Sequence, residues 1–213
     1  MRSSRTSSAA KPVTIVGGII AGVALTAAAC GSSAPAAAPA ASPSHHAMAS
    51  HHAMAESAQF GSDCGMVPAT GMGSFHGMAM DPVVTAASHN PLLTTLAADV
   101  KTAGLTPDLN TMHAITVFAP ANTAFTSLPA ADMAMMHSTA ELAKILKYHV
   151  VNGQVTTAEL ASGKPLTTVE GDTLKPSKMG AVYEVNNASI ICGNIHTANA
   201  TVYIINKVLI PMH

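Results

Sequence analysis

Ile115-Thr116-Val117-Phe118-Ala119-Pro120-Ala121-Asn122-Thr123-Ala124-Phe125 holds a complete change of backbone within a short stretch. Ile115 to Ala119 alternates and is rich in β-branched residues, which reads as a strand. Pro120 ends it, and Asn122 caps a short helix carrying Phe125 and Leu128. Upstream, Asp81-Pro82 and Asn90-Pro91 each set a capping side chain before a proline at the first helical position. Leu92, Leu93, Leu96 and Val100 follow at helical spacing, and Gly104 closes that helix. Downstream, Ser138-Thr139-Ala140-Glu141 is a capping box. Leu142, Ile145, Leu146, His149 and Val150 make one apolar stripe behind it, with Lys144 and Lys147 on the opposite side. Asn152-Gly153 ends the helix. A second box, Thr156-Thr157-Ala158-Glu159, starts a short turn that Gly163 closes.

The last fifty residues read as strands. Val182 to Val185, Ser189 to Ile191 and Val202 to Leu209 are β-branched and separated by Asn-Asn, Gly-Asn and Ala-Asn turns. In the final strand Val202, Ile204, Val208 and Ile210 share one face, and Tyr203, Ile205 and Leu209 the other. Apolar residues on both faces predict a strand covered on both sides. Helices first and strands last predict an α+β fold.

Composition narrows the function. The chain has 213 residues and a formal net charge of −1, with only 10% charged and 3% aromatic residues. It lacks the clustered Lys/Arg that neutralise phosphates, so no nucleic-acid partner is expected. There is no G-x-S-x-G elbow, no H-E-x-x-H and no P-loop, and an enzyme is not expected. Glu170 and Asp172 flank Gly171 in what reads as a solvated hairpin turn rather than an acid/base pair. Asn187-Ala188-Ser189 and Asn199-Ala200-Thr201 have the form of glycosylation sequons, but the turn chemistry of Asn accounts for them.

The N-terminal third is organised differently. Arg2, Arg5 and Lys11 precede an apolar, Ala/Gly-rich stretch from Val13 to Ala29, and Cys30 follows three alanines. This resembles a bacterial lipoprotein signal over 1–29, with a diacylglyceryl group on Cys30; an ordinary secretory signal or an uncleaved anchor is the other reading. The expected location is the extracytoplasmic face of the cell membrane, held by the lipid. Cleavage would leave seven lysines against eleven acidic residues, a net side-chain charge of −4. Residues 30–63 read as a flexible Ala/Pro/His/Met-rich stalk and 64–213 as the folded domain, with its core at 81–213.

The stalk holds a repeat: His45-His46-Ala47-Met48-Ala49-Ser50, then His51-His52-Ala53-Met54-Ala55-Glu56. Met66, Met72, His76, Met78 and Met80 continue the bias. Imidazole and thioether suit Cu(II) and Cu(I) respectively, and the scarcity of carboxylates disfavours calcium or magnesium. Copper is therefore the one candidate cofactor, set against a linker that merely grew by duplication.

Three segments, in order, resemble the signatures of fasciclin domains. They are Thr116 to Phe125, Ile145-Leu146-Lys147-Tyr148-His149-Val150-Val151, and Ala200-Thr201-Val202-Tyr203-Ile204-Ile205-Asn206-Lys207-Val208-Leu209-Ile210-Pro211. Asp81 to Leu96, with Cys64 before it and Cys192 to Thr201 near the end, is similar to the secreted or lipid-anchored single-domain fasciclin antigens of mycobacteria and other actinobacteria. The resemblance implies a β-wedge of about seven strands flanked by helices, and adhesion or partner binding at a cell surface. The partner would be a protein, polymer or lipid. The resemblance makes Phe118, Pro120, Asn122, Phe125, Tyr148 and His149 the motif residues, either structural or partner-binding. His149 lies on the apolar stripe, which favours a core histidine bonded to backbone. The same resemblance points to a disulfide between Cys64 and Cys192, as does export to an oxidising environment. Two free thiols are the alternative, with Cys64 able to join the copper ligands.

Overall fold

In the computed structural model, which describes residues 58–211, strand β1 (Ile115–Pro120) is buried at every position. It lies between two neighbours. On one side it pairs antiparallel with β2 (Val150–Asn152), Ile115 opposite Asn152. On the other it runs parallel to β8 (Ala200–Ile205), in register from Ile115↔Ala200 to Pro120↔Ile205. β7 (Ala188–His196), β6 (Val182–Val185) and β5 (Pro176–Met179) continue the sheet antiparallel, giving the order β2-β1-β8-β7-β6-β5. β3 (Leu166–Thr167) and β4 (Thr173–Leu174) form a separate two-stranded hairpin. The fold is α+β, with eight strands among the described residues.

Period-two alternation divides the core between the two faces of the sheet. Ile115, Val117, Ala119, Val202 and Ile204 pack on one side with Val83, Leu96 and Val100. Phe118, Tyr203 and Ile205 pack on the other with Tyr148, Leu160, Leu174 and Val185. Burial of each such large side chain contributes about 1.5–3 kcal/mol. The central place expected for the final strand is the one β8 occupies.

Among the described residues, eight short helices cover the sheet and its edges. Four precede β1: α1 (Phe75–Met80), α2 (Val83–His89), α3 (Thr94–Thr102) and α4 (Thr106–Thr111). α5 (Asn122–Thr126), α6 (Ala130–Met135) and α7 (Thr139–Tyr148) lie between β1 and β2, and α8 (Thr157–Ser162) follows β2. Their caps differ from the sequence reading in four places. Asn90 does not cap α3, which begins at Thr94; its Oδ1 accepts from Leu92 N at 2.9 Å in the turn before that helix. Asp81 does not cap α2; the N–H groups of Val83 and Val84 go to the side-chain oxygens of Asn199 and Asn110, at 2.8 and 3.0 Å. Asn122 leaves its own helix uncapped, and its Oδ1 instead accepts from Thr95 N at the start of α3, 3.0 Å. Ser138 forms no box, because its backbone N–H returns to Met135 O at the end of α6 and Glu141 finds no donor there. The Thr156–Glu159 box does form, and Gly163 ends α8 at φ 69°. The α7 helix also stops at Tyr148, earlier than its stripe implies, since Val150 and Val151 are claimed by β2.

Cys64 opens a short 3-10 turn (Cys64–Met66) and is bonded to Cys192 in β7, with 4.8 Å between the Cα atoms. The strap just before it lies against the same strand. Phe60 exchanges two backbone hydrogen bonds with Gly193, at 3.3 and 2.7 Å, and Asp63 N donates to Ile191 O at 2.9 Å. A Cβ on Gly193 would fall 2.7 Å from Phe60 Cε1, so only glycine fits beneath that ring. The ordered domain therefore begins before Cys64. Residues 58–63, assigned by composition to the stalk, are bound to β7 by backbone pairing that composition does not register. Residues 1–57, with the signal segment, Cys30 and the His/Met repeat, lie outside the described residues.

Candidate functional site

The six motif residues are spread over β1, the corner that follows it and the end of α7, and they serve both faces of the sheet. Phe118 is fully buried, its ring stacked on Tyr203 with centroids 5.7 Å apart. Pro120 ends β1, and the next residue, Ala121, donates its N–H to Ile205 O at 3.0 Å. Phe125 packs into the helical side of the core. Besides accepting from Thr95, Asn122 donates to Pro91 O at 2.8 Å and to Thr94 Oγ1 at 3.0 Å, so one amide fastens the β1–α5 corner to the start of α3.

Tyr148 and His149 face inward. The Tyr148 hydroxyl accepts from Asn186 Nδ2 at 2.7 Å and donates to Thr173 O at 3.4 Å. Burial raises its pKa above the ordinary phenol value, against the opposing effect of the Asn186 hydrogen bond. His149 is wholly enclosed. Its Nε2 accepts from Leu209 N at 2.9 Å, which leaves the proton on Nδ1, donated to Ile145 O at 2.8 Å. Burial brings its pKa down to about 4, against the hydrogen bond to Ile145. This imidazole is a neutral bracket. It joins the last turn of α7 to the segment leaving β8, and it has no face turned to solvent.

Other candidates separate just as clearly. Glu170, Gly171 and Asp172 form the bend between β3 and β4, with Gly171 at φ 119° and Asp172 N on Glu170 Oε2 at 3.3 Å. Asn199 is buried, its amide donating to Leu109 O and Met112 O at 2.8 Å while its oxygen caps α2. Asn187 is exposed, at φ 65° in the β6–β7 turn. The thioethers divide three ways. Met78 is in the core, its Sδ accepting from Asn90 Nδ2 at 3.4 Å, so it is withdrawn from any surface copper site. Met66 is exposed at the end of the 3-10 turn that Cys64 opens. Met72, His76 and Met80 line one concavity of about 500 Å³. Cys64, being in a disulfide, offers no thiol. Among the described residues no group of three His, Cys, Asp or Glu side chains is placed to hold a metal.

A feature not anticipated from sequence is an open groove of about 780 Å³ along β6 and β7. Phe60, Tyr183, Ile190 and Ile191 contribute to its walls. The Phe60 and Tyr183 rings lie 5.0 Å apart, and Lys178 Nζ sits 4.8 Å above Tyr183 on the far strand of the hairpin. The signal available in sequence was an aromatic residue four positions before a bonded cysteine.

Comparison with known proteins gives a consistent answer. The profile of the fasciclin domain matches residues 91–211. The cell surface glycolipoprotein MPT83 of Mycobacterium tuberculosis is 44% identical over 148 residues, 67% of this chain. The match spans 66% of that relative, just under two thirds of its length. The immunogenic protein MPB70 of Mycobacterium bovis is 41% identical over 148 residues, covering 67% of this chain and 75% of the relative. Among solved structures, a FAS1 domain pair from the insect cell adhesion molecule Fasciclin I aligns with a TM-score of 0.51 at 14% identity. It covers 63% of this chain and 52% of that one, a likeness of fold alone.

Proposed function

The chain belongs to the fasciclin domain family, and from that premise we propose that it is a non-enzymatic cell-surface protein whose domain binds a partner or mediates adhesion. The observation that carries this reading is the inward commitment of the motif. His149, Tyr148 and Asn122 spend their polar atoms on the fold, so recognition falls to the outer surface of the domain. Relatives named as cell surface and immunogenic proteins support the location. Attachment at the membrane is assigned to a diacylglyceryl group on Cys30, which brings two acyl chains at once.

The test is attachment. Beads coated with the purified full chain should retain envelope vesicles, matrix polymer or host protein saturably, and soluble protein should compete. Retention no greater than on beads carrying reduced, unfolded protein rejects the reading. In cells, Cys30→Ala should abolish fatty-acid labelling and detergent partitioning; unchanged partitioning at the mature mass rejects the lipid.

A second reading rests on the tandem His-His-Ala-Met-Ala units at His45 and His51: a copper-binding tail for which the domain is a carrier. Substituting His45, His46, His51 and His52 with Ala separates the two, because Cu(II) uptake should fall while attachment persists.

A further inference from the structure

We propose that Met72, His76 and Met80 form a copper(I) site on the folded domain itself, independent of the His/Met tail. The three residues are spaced Met72-x-x-x-His76-x-x-x-Met80. His76 and Met80 are one turn apart on α1, where side chains at that spacing are neighbours on one face. Met72 reaches the same face from the preceding turn, and the backbone fixes it there. Gly71 turns the chain at φ 87°. Ser74 donates its hydroxyl to Gly71 O at 2.6 Å and accepts from Gly77 N at 3.1 Å, which closes the turn onto the helix start. Gly77 then allows the closest approach, since a Cβ there would lie 2.6 Å from Met72 Cα. Position 77 is on the helix flank next to 76 and 80, so Met72 is seated beside both.

The burial of the methionines supports a role outside the core. Met72 and Met80 are 56% and 73% exposed, whereas Met78 on the same helix is 2% exposed and fills the interior. Two thioethers left in water around a concavity, with an exposed imidazole between them, contribute little to packing. They do make a soft, uncharged donor set. Thioether sulfur selects Cu(I) among the common biological metals, and imidazole is compatible with it. Methionine's free torsions let the two sulfurs close on an ion in the concavity that all three residues line. Asp81 also lines the concavity, but its Oδ2 lies 3.4 Å from His89 Nδ1 and a hard carboxylate adds little for Cu(I).

The experiment uses the full chain with His45, His46, Met48, His51, His52 and Met54 changed to Ala, so that tail ligands are absent. Cu(I) is titrated anaerobically against a chromogenic Cu(I) chelator. One equivalent should remain bound, with sulfur and nitrogen neighbours in its X-ray absorption spectrum. Adding Met72→Leu and Met80→Leu should weaken that equivalent more than about tenfold, as should His76→Ala. Met66→Leu, at an exposed methionine outside the concavity, should leave it intact. These are surface changes, and an unchanged thermal midpoint verifies that the fold is kept. The proposal is overturned if the tail-substituted protein binds no Cu(I), if the Met72/Met80 pair can be replaced without loss, or if the bound copper has no sulfur neighbour. Each of these results leaves the attachment assay untouched.

Discussion

His149 is held neutral by what surrounds it: one ring nitrogen gives its proton to Ile145 O and the other receives one from Leu209 N. Protonation would turn an acceptor into a donor facing a donor. The unfolded chain takes up this proton near the ordinary value of 6.5, and the folded chain resists until about 4. Between those values the unfolded state binds more protons, so stability is complete above the window and falls as pH drops through it. From pH 7 to pH 5 the loss should be about 2 kcal/mol. Denaturant titrations of wild type and His149→Gln check it. The variant should be weaker at neutral pH but lack this part of the slope, and parallel profiles would contradict the assignment. The stripe containing His149 was readable from its spacing, and so was its core character. Its partner Leu209 was not, because sixty residues separate them and only the return of β8 brings them together. Asn122 and Asn199 show the same limit. Both read as local cap or turn residues, and both cap helices far away in sequence.

At the scale of elements, two stretches with the same capping-box pattern behave differently. Thr156 and Glu159 satisfy each other's backbone donors, while Ser138 and Glu141 do not, because α6 runs directly into Ser138 and takes its N–H. Thr156→Ala should cost about 1 kcal/mol, and Ser138→Ala less than about half of that. Thermal or urea unfolding of the two variants measures the difference; equal losses would mean that the α6–α7 junction is looser than described. Strands were easier to read than caps. β1 and β8 announce themselves through β-branched alternation, and their two-sided burial follows from apolar residues on both faces. Short helices such as α4 and α6 escaped, since six residues offer less than two turns of periodicity and draw their stability from packing. Strand β2 escaped because Val150 also satisfied the spacing of the helix before it.

For the whole molecule, the binding of residues 58–63 to β7 makes the disulfide the closure of the domain rather than an ornament near its edge. The bridge joins positions 128 apart. Loops of that length correspond to about 5 kcal/mol in the chain-entropy model, and 2–5 kcal/mol is usual on removal. Cys64→Ala with Cys192→Ala should lower the melting temperature and open the strap to protease around Phe60 before the sheet is attacked. Equal midpoints and equal cleavage with and without the bond would refute this role. The same bridge has a mechanical consequence. When the chain is held at its N-terminal end and drawn at its C-terminal end, tension passes along the strap and crosses at Cys64 directly into Cys192. The intervening residues, with all eight helices and most of the sheet, lie outside the load path and cannot be paid out. Oxidised, the domain behaves as a stiff link under pulling; reduced, it becomes an extensible one.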